Sequence, residues 1–394
     1  MKILHCCLAS FYIDNYGYQE NILPKQNKLD GHEVSILAST ETFTNNYELI
    51  YVAPKKYINE DGIAVTRVPY KKIFNNFITR KIRKYQGVYQ ILEEEDPDVI
   101  LFHGMGAWEL LNVVKYKKNH PCVTLYADSH SDANNSATNF LSKNILHKIF
   151  YAMIARHACQ YIDKILCISL EAQDFLRDIY GMPDDKLVFY PLGGIVLDDK
   201  EYFEKRKKIR SGLGLRDADI LLVHAGKMSK QKRTADILDA LSRIESTKLR
   251  LVILGSFPDD VRSIAEKMIK ADHRVRYEGW KNPDEIIEYL CAADMYVQPG
   301  GQSATMQNAI CCRCAVMLYP HRSHQAYLMD NGYFVRTTED MVDCFKSIVD
   351  HPHQLLQMSD NSHKIACDLL DYKKLAARLY GNRATRKGWV SEEA

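Results

Sequence analysis

The chain is built from short apolar runs separated by helix-length segments. The first series runs through residues 2–9, Glu33-Val34-Ser35-Ile36-Leu37-Ala38, Ile63 to Val68, Val99 to Phe102, Val123 to Tyr126 and Lys164 to Ile168. Each run is four to eight residues with a crossover after it, so the order reads strand, helix, strand. Strands this continuously apolar are buried on both faces, which predicts a parallel sheet covered by helices. Asp96-Pro97-Asp98 marks a helix end before one strand, because proline disfavours helical backbone in the residue before it. The alternation restarts after Leu187 to Gly194, with strands expected at Ile220 to Ala225, Leu249 to Leu254, Val275 to Tyr277, Met295 to Gln298 and Ala315 to Leu318. The expected fold class is therefore α/β, with two Rossmann-like domains facing each other across a cleft. Domain boundaries are expected at 1–190 and 191–375, with a linker from Pro191 to Asp199 and a segment 376–394 returning to the first domain. Open parallel sheets bind ligands outside the carboxyl ends of their strands.

Composition narrows the partners. The 394 residues carry 52 Lys+Arg against 50 Asp+Glu, a formal net charge of +2, so no overall field draws the chain to nucleic acid. No apolar run is long enough to span a bilayer, and the opening ten residues are too short for a signal peptide. A cytoplasmic location is expected. Eleven cysteines scattered through apolar stretches read as buried free thiols. Cys311-Cys312-Arg313-Cys314 lacks a second ligand pair at zinc spacing, and Gly212-Leu213-Gly214 follows a charged helix where a dinucleotide fingerprint would follow a strand.

Two loops carry the strongest chemistry. Gly226-Lys227-Met228-Ser229-Lys230-Gln231-Lys232-Arg233 crowds cations at a strand-to-helix turn, where backbone N–H groups and helix dipole also favour an anion. Diphosphate is the ligand expected there, against the simpler reading of a solvated basic loop. Pro299-Gly300-Gly301-Gln302-Ser303-Ala304 follows a neighbouring strand, and paired glycines let backbone approach a ligand. In the first half, Gly17 lies in the loop after the first strand, His103 follows another, and Asp128, His130 and Asp132 alternate after a third. A metal triplet is the weaker reading of these three, for want of further ligands. Residues 71–84 hold six cations and no acidic residue, interleaved with Ile73, Phe74, Phe77 and Ile78. Such a segment can lie on anionic lipid. Phe74, Ile78, Ile82, Tyr85, Tyr89 and Leu92 also form a stripe that one helix would bury in its own domain.

Taken in order, these segments resemble glycosyltransferase family 4, whose two-domain fold is called GT-B. The resemblance is carried by Gly31-His32-Glu33-Val34, Pro97-Asp98-Val99-Ile100, Gly226-Lys227 with Lys232, Leu249 to Gly255, Val275 to Trp280 and Tyr289 to Pro299. It implies a retaining, metal-independent transferase without a cofactor, taking sugar from a UDP- or GDP-sugar in the second domain. The acceptor, in the first domain, would be a saccharide or lipid-linked saccharide of the cell surface; the stretch 71–84 adds the expectation of a place at the inner face of the membrane. Lys227, Lys232 and His130 would carry the reaction. The donor would lie against Gly17, Gly226, Gly279, Trp280, Gly300, Gly301, Gln302, Ser303, Gln307 and Asn308, and the acceptor near His103 and Asp128. One departure stands out: where the family has two glutamates eight positions apart, an ungapped match puts Gly300 and Asn308. That leaves two rival readings, a nucleotide-sugar epimerase or hydrolase of the same fold and a silent nucleotide-sugar binding protein.

Overall fold

A computed structural model describes residues 1–43, 48–132, 136 and 142–381. The chain forms two compact units, one of Met1–Pro191 rejoined by the chain from Leu375, the other of Leu192–Lys374. Residues 382–394 of the expected returning segment lie outside the described residues.

The first unit is built on β1 (Lys2–Cys7), β2 (Glu33–Ser39), a small hairpin of β3 (Glu41–Phe43) and β4 (Leu49–Tyr51), β5 (Lys55–Ile58), β6 (Ala64–Val68), β7 (Val99–Phe102), β8 (Thr124–Ser129), β9 (Lys164–Cys167) and β10 (Leu187–Phe189). Apart from the hairpin they form one sheet in the order β10-β9-β8-β7-β1-β2-β6-β5, and β5 alone runs antiparallel. Chain order reverses direction between β1 and β7. The second unit holds β11 (Ile220–Lys227), β12 (Leu249–Ser256), β13 (Val275–Gly279), β14 (Met295–Gln298), β15 (Ala315–Leu318) and β16 (Gly332–Phe334), in the order β13-β12-β11-β14-β15-β16. Here the reversal falls between β11 and β14. At such switch points adjacent crossovers leave to opposite faces, opening a crevice at the strand ends.

Burial follows the apolar runs: all four residues of β7, β14 and β15 are buried. The cysteines are free and buried, except Cys122, which is exposed, and Cys367, which is partly so. One expectation fails. Residues 74–92 are two helices, Asn76–Ile82 and Val88–Glu95. Arg83 and Gly87 take left-handed backbone at φ 54° and 70°, and Tyr70 and Tyr85 form an isolated bridge. The supposed stripe is cut there, so Leu92 is buried while Phe74 is 72% exposed.

The helix Asp199–Gly212 is fixed to its sheet by one carboxylate. Asp294 accepts from the Leu221 backbone N–H at 2.7 Å, from Arg206 at 2.6 Å and from Arg210 at 3.0 Å. Arg206 also donates to the carbonyls of Cys291, Ala292 and Ala293. Removing the carboxylate strands two partly buried guanidinium groups and a strand N–H. Asp294→Ala should lower unfolding free energy by about 2–4 kcal/mol, read from urea denaturation. A loss below about 0.5 kcal/mol would mean that the cluster is an exposed ion pair of ordinary weight.

Candidate active site

At the first switch point a polar chain crosses an apolar core. His5 on β1 and His103 just past β7 are both fully buried, their rings stacked at 5.4 Å. His5 Nε2 meets Asn27 Oδ1 at 2.9 Å, and His5 Nδ1 meets His103 Nε2 at 3.1 Å. His103 Nδ1 lies 2.5 Å from Asp128 Oδ2, and the Gly104 N–H donates to Asp128 Oδ1 at 2.7 Å. Two proton arrangements satisfy this chain. With the Asn27 oxygen toward His5, His103 carries both protons and donates both ways. With the amide turned, both histidines are neutral and each donates toward Asp128. In either arrangement the carboxylate receives a proton donor from behind.

The far side of Asp128 faces His130, whose Nε2 stands 3.7 Å from Oδ2. Burial alone would raise the Asp128 carboxyl, but His103 and His130 hold it well below the usual range. Burial alone would lower His130, but the Asp128 charge outweighs it and holds the imidazole at about 9. His5 is driven by burial, and by His103 beside it, down to about 3. The outermost ring therefore carries a positive charge, and it is one-third exposed.

The second switch point leaves its cation uncompensated. Lys232 ends the short turn Lys230–Lys232 and is 9% exposed. Its nearest polar partner is Gln298 Oε1 at 3.5 Å, and no carboxylate pairs with it among the described residues. Burial lowers its ammonium to about 8. Gln298 is fully buried at the end of β14; its oxygen also takes bonds from Ser303 Oγ at 2.5 Å and Tyr296 Oη at 3.0 Å, while its Nε2 has no partner. Around it the loops are packed backbone against backbone. A Cβ on Gly300 would lie 1.9 Å from the Gln231 carbonyl, and one on Gly255 1.8 Å from the Gly226 carbonyl. The Gly301 N–H donates to Gln231 O at 3.0 Å, tying the two loops together.

The matches to known protein families follow this division. Residues 25–193 match the model described as Glycosyltransferase Family 4, and residues 219–351 match that of Glycosyl transferases group 1. The chain belongs to glycosyltransferase family 4. An uncharacterized glycosyltransferase of Methanocaldococcus jannaschii is 24% identical over 68% of this chain and 66% of its own length. Alpha-monoglucosyldiacylglycerol synthase of Streptococcus pneumoniae is 24% identical over 68% of this chain and 58% of its own. The chain thus matches no more than about two thirds of either relative. Anabaena HepE, crystallised with UDP, superposes with a TM-score of 0.69 at 14% identity, covering 98% of this chain and all of HepE. That likeness shows the GT-B fold of two Rossmann-like domains.

Within this family 4 chain, the expected site residues fall in several places. Gly226, Lys232, Gly300, Gly301 and Ser303 gather at the second switch point, and exposed Lys227 ends β11 beside them. Gly279, at φ 70°, and the 68% exposed Trp280 lie at the end of β13, beyond β12 from that point. Gln302 is exposed and Asn308 half-buried, but Gln307 is buried and its oxygen is taken by the Gly193 N–H at 2.8 Å. Gln307 is therefore a clamp on the Pro191–Gly194 turn. Gly17 is exposed ahead of the helix Gln19–Leu29, and His130 is half-buried at the first switch point. His103 and Asp128 cannot line an acceptor surface as expected, since both are buried; Asp128 instead stands behind His130. Among the described residues no cluster of His, Cys, Asp or Glu has the geometry to hold a metal. Sequence reading missed His5, Gln298 and His321, whose Nε2 lies 3.1 Å from the Gly300 carbonyl. A lone polar residue inside or just past an apolar strand was the available signal.

Because folding raises the His130 pKa, its contribution to stability is complete below the ordinary histidine value of 6.5 and is lost as pH rises through about 9. Asp128→Asn should bring the His130 midpoint down to 6.5 or below, followed by NMR titration of the ring, and flatten the melting temperature across that window. A midpoint unmoved from about 9 would place the source of the charge elsewhere.

Proposed function

We propose that this chain is a retaining glycosyltransferase, working without a bound metal, that moves sugar from a UDP- or GDP-sugar to a saccharide or lipid-linked saccharide acceptor of the cell surface. The carrying observation is Lys232, a buried ammonium facing glycine turns with no carboxylate among the described residues to neutralise it. Such a group is costly unless an anion arrives. A nucleotide diphosphate supplies that anion, and its charge grows as the glycosidic bond breaks, so Lys232 and Lys227 stabilise the transition state more than the ground state. Fixed cations in that role make a divalent ion unnecessary, and activity should survive EDTA. UDP is supported by the complex reported for HepE.

In this reading the second domain holds the donor and the first the acceptor. His130, kept charged by Asp128, donates a hydrogen bond to the reacting sugar or the acceptor hydroxyl. A charged imidazole has no free lone pair, so it orients and does not act as base. The leaving phosphate oxygen takes the acceptor proton. The lipid product named for the pneumococcal relative, together with the cationic stretch 71–84, supports an acceptor met at an anionic membrane surface on the cytoplasmic side. No described helix is long and apolar enough to cross a membrane.

Calorimetric titration with UDP and GDP, followed by assay of sugar transfer, tests the reading. Lys232→Ala should weaken nucleotide binding by about 1.5–3 kcal/mol, and Lys227→Ala by less because it is exposed. Wild-type affinity should fall as pH rises past about 8, since only the ammonium form of Lys232 attracts diphosphate, and binding below that pH should not depend on Mg²⁺. No nucleotide binding would sink the proposal. Binding without turnover would make the chain a silent binder, and turnover without acceptor an epimerase or hydrolase.

A further inference from the structure

The cationic stretch at 71–84 has an apolar neighbour that points to how the chain meets a bilayer. Phe74 and Phe77 on the first stretch are 72% and 70% exposed, with Ile73 at 42%. The helix Ser142–Tyr151 continues directly into Ala152–Cys159. Along this pair Ile145, Ile149 and Met153 fall at successive spacings of four, so they share one side, and they are 53%, 59% and 64% exposed. The opposite side carries Tyr151, Ile154, Ala155 and Ala158, all buried in the core of the same unit. The two segments are neighbours: Tyr151 Oη donates to the Lys81 carbonyl at 2.5 Å, and Trp108 links Ile82 by its N–H at 2.9 Å to the Phe150 ring it stacks on at 6.2 Å. Exposed apolar side chains on two neighbouring segments of one domain mark a surface that something covers.

Charge identifies what covers it. From 62 to 92 and from 133 to 162 the sequence has no Asp or Glu, while Lys71, Lys72, Lys81, Lys143 and Lys148 are exposed within the two segments. Arg80 is neutralised by Glu41 at 2.9 Å, but none of these lysines makes an ion pair among the described residues. An apolar stripe rimmed by unpaired lysines matches the layering of an anionic bilayer, with headgroups outside and acyl chains beneath.

We infer that the first domain docks on anionic lipid through two adjoining stripes, Phe74 with Phe77 and Ile145 with Ile149 and Met153. This rests on the membrane-facing acceptor proposed above and adds to it the second stripe. One stripe of two aromatic residues gives weak, reversible attachment; a second roughly doubles the buried apolar area and fixes the domain about two lines of contact.

Flotation of the full chain with phosphatidylcholine vesicles, with and without phosphatidylglycerol, tests this. Wild type should float only with the anionic vesicles. Ile145→Ser/Ile149→Ser/Met153→Ser and Phe74→Ser/Phe77→Ser should each cut partitioning about tenfold or more, with melting temperature and nucleotide affinity unchanged. Wild type failing to float would overturn membrane docking itself. Loss in the phenylalanine variant with the triple variant floating like wild type would overturn the second stripe alone. Equal flotation on neutral vesicles would overturn the role given to the lysines.

Discussion

Parallel strands buried on both faces leave a chain few places to put polar chemistry. Side chains inside β1, β7, β11 and β14 are sealed in, and helices cover both sides. Polar groups can reach ligand only where the strands end and neighbouring crossovers part. His103, Asp128 and His130 stand at one such point, and Lys232, Gln298 and Ser303 at the other. The buried sheet therefore decides which few residues can act, and the chemistry of each unit follows from how it handles charge at that edge.

The two units handle it in opposite ways. In the first, an anion is supplied internally: Asp128 is held by His103 and Gly104 and spends its field on a single imidazole. The site is complete without a ligand, and its outer group is a fixed donor of hydrogen bonds. In the second, among the described residues the buried ammonium has only an amide oxygen at the edge of bonding distance, and the amide nitrogen beside it has no partner. Folding there leaves a deficit for an arriving group to fill. One edge carries its own counter-charge; the other has none among the described residues.

Much of this was legible in the sequence because apolar runs and glycine turns act locally. The strands, the two-unit division and the loops at Lys232 and Gly300 all come from short stretches of neighbouring residues. What was hidden depends on pairing across the sheet. His5 and His103 are 98 positions apart and meet only because β1 and β7 are neighbours. His103 and Asp128 looked like ligand-facing groups, and only their burial reveals them as supports. Gln307 looked like a contact for the donor, until the turn at Gly193 claimed its oxygen. Residues 74–92 fitted a helical period, yet left-handed backbone at Arg83 and Gly87 breaks the run, which periodicity does not register.

The chain leaves the first unit after Pro191 and re-enters it at Leu375. Tyr190 Oη donates to the Leu375 carbonyl at 2.6 Å, and Arg378 reaches the Phe189 carbonyl at 3.2 Å. Exit and return are thus adjoining points of one fold, and on the other side Gly194 and Leu370 are bonded at 2.9 Å. The second unit is in effect an insertion whose ends already touch. A short bridge from Tyr190 to Leu375 would close the first unit without stretching it, and the same junction could accept a different unit whose termini lie equally close. Such a joint makes the second unit exchangeable as a cassette, with the first left whole as its host.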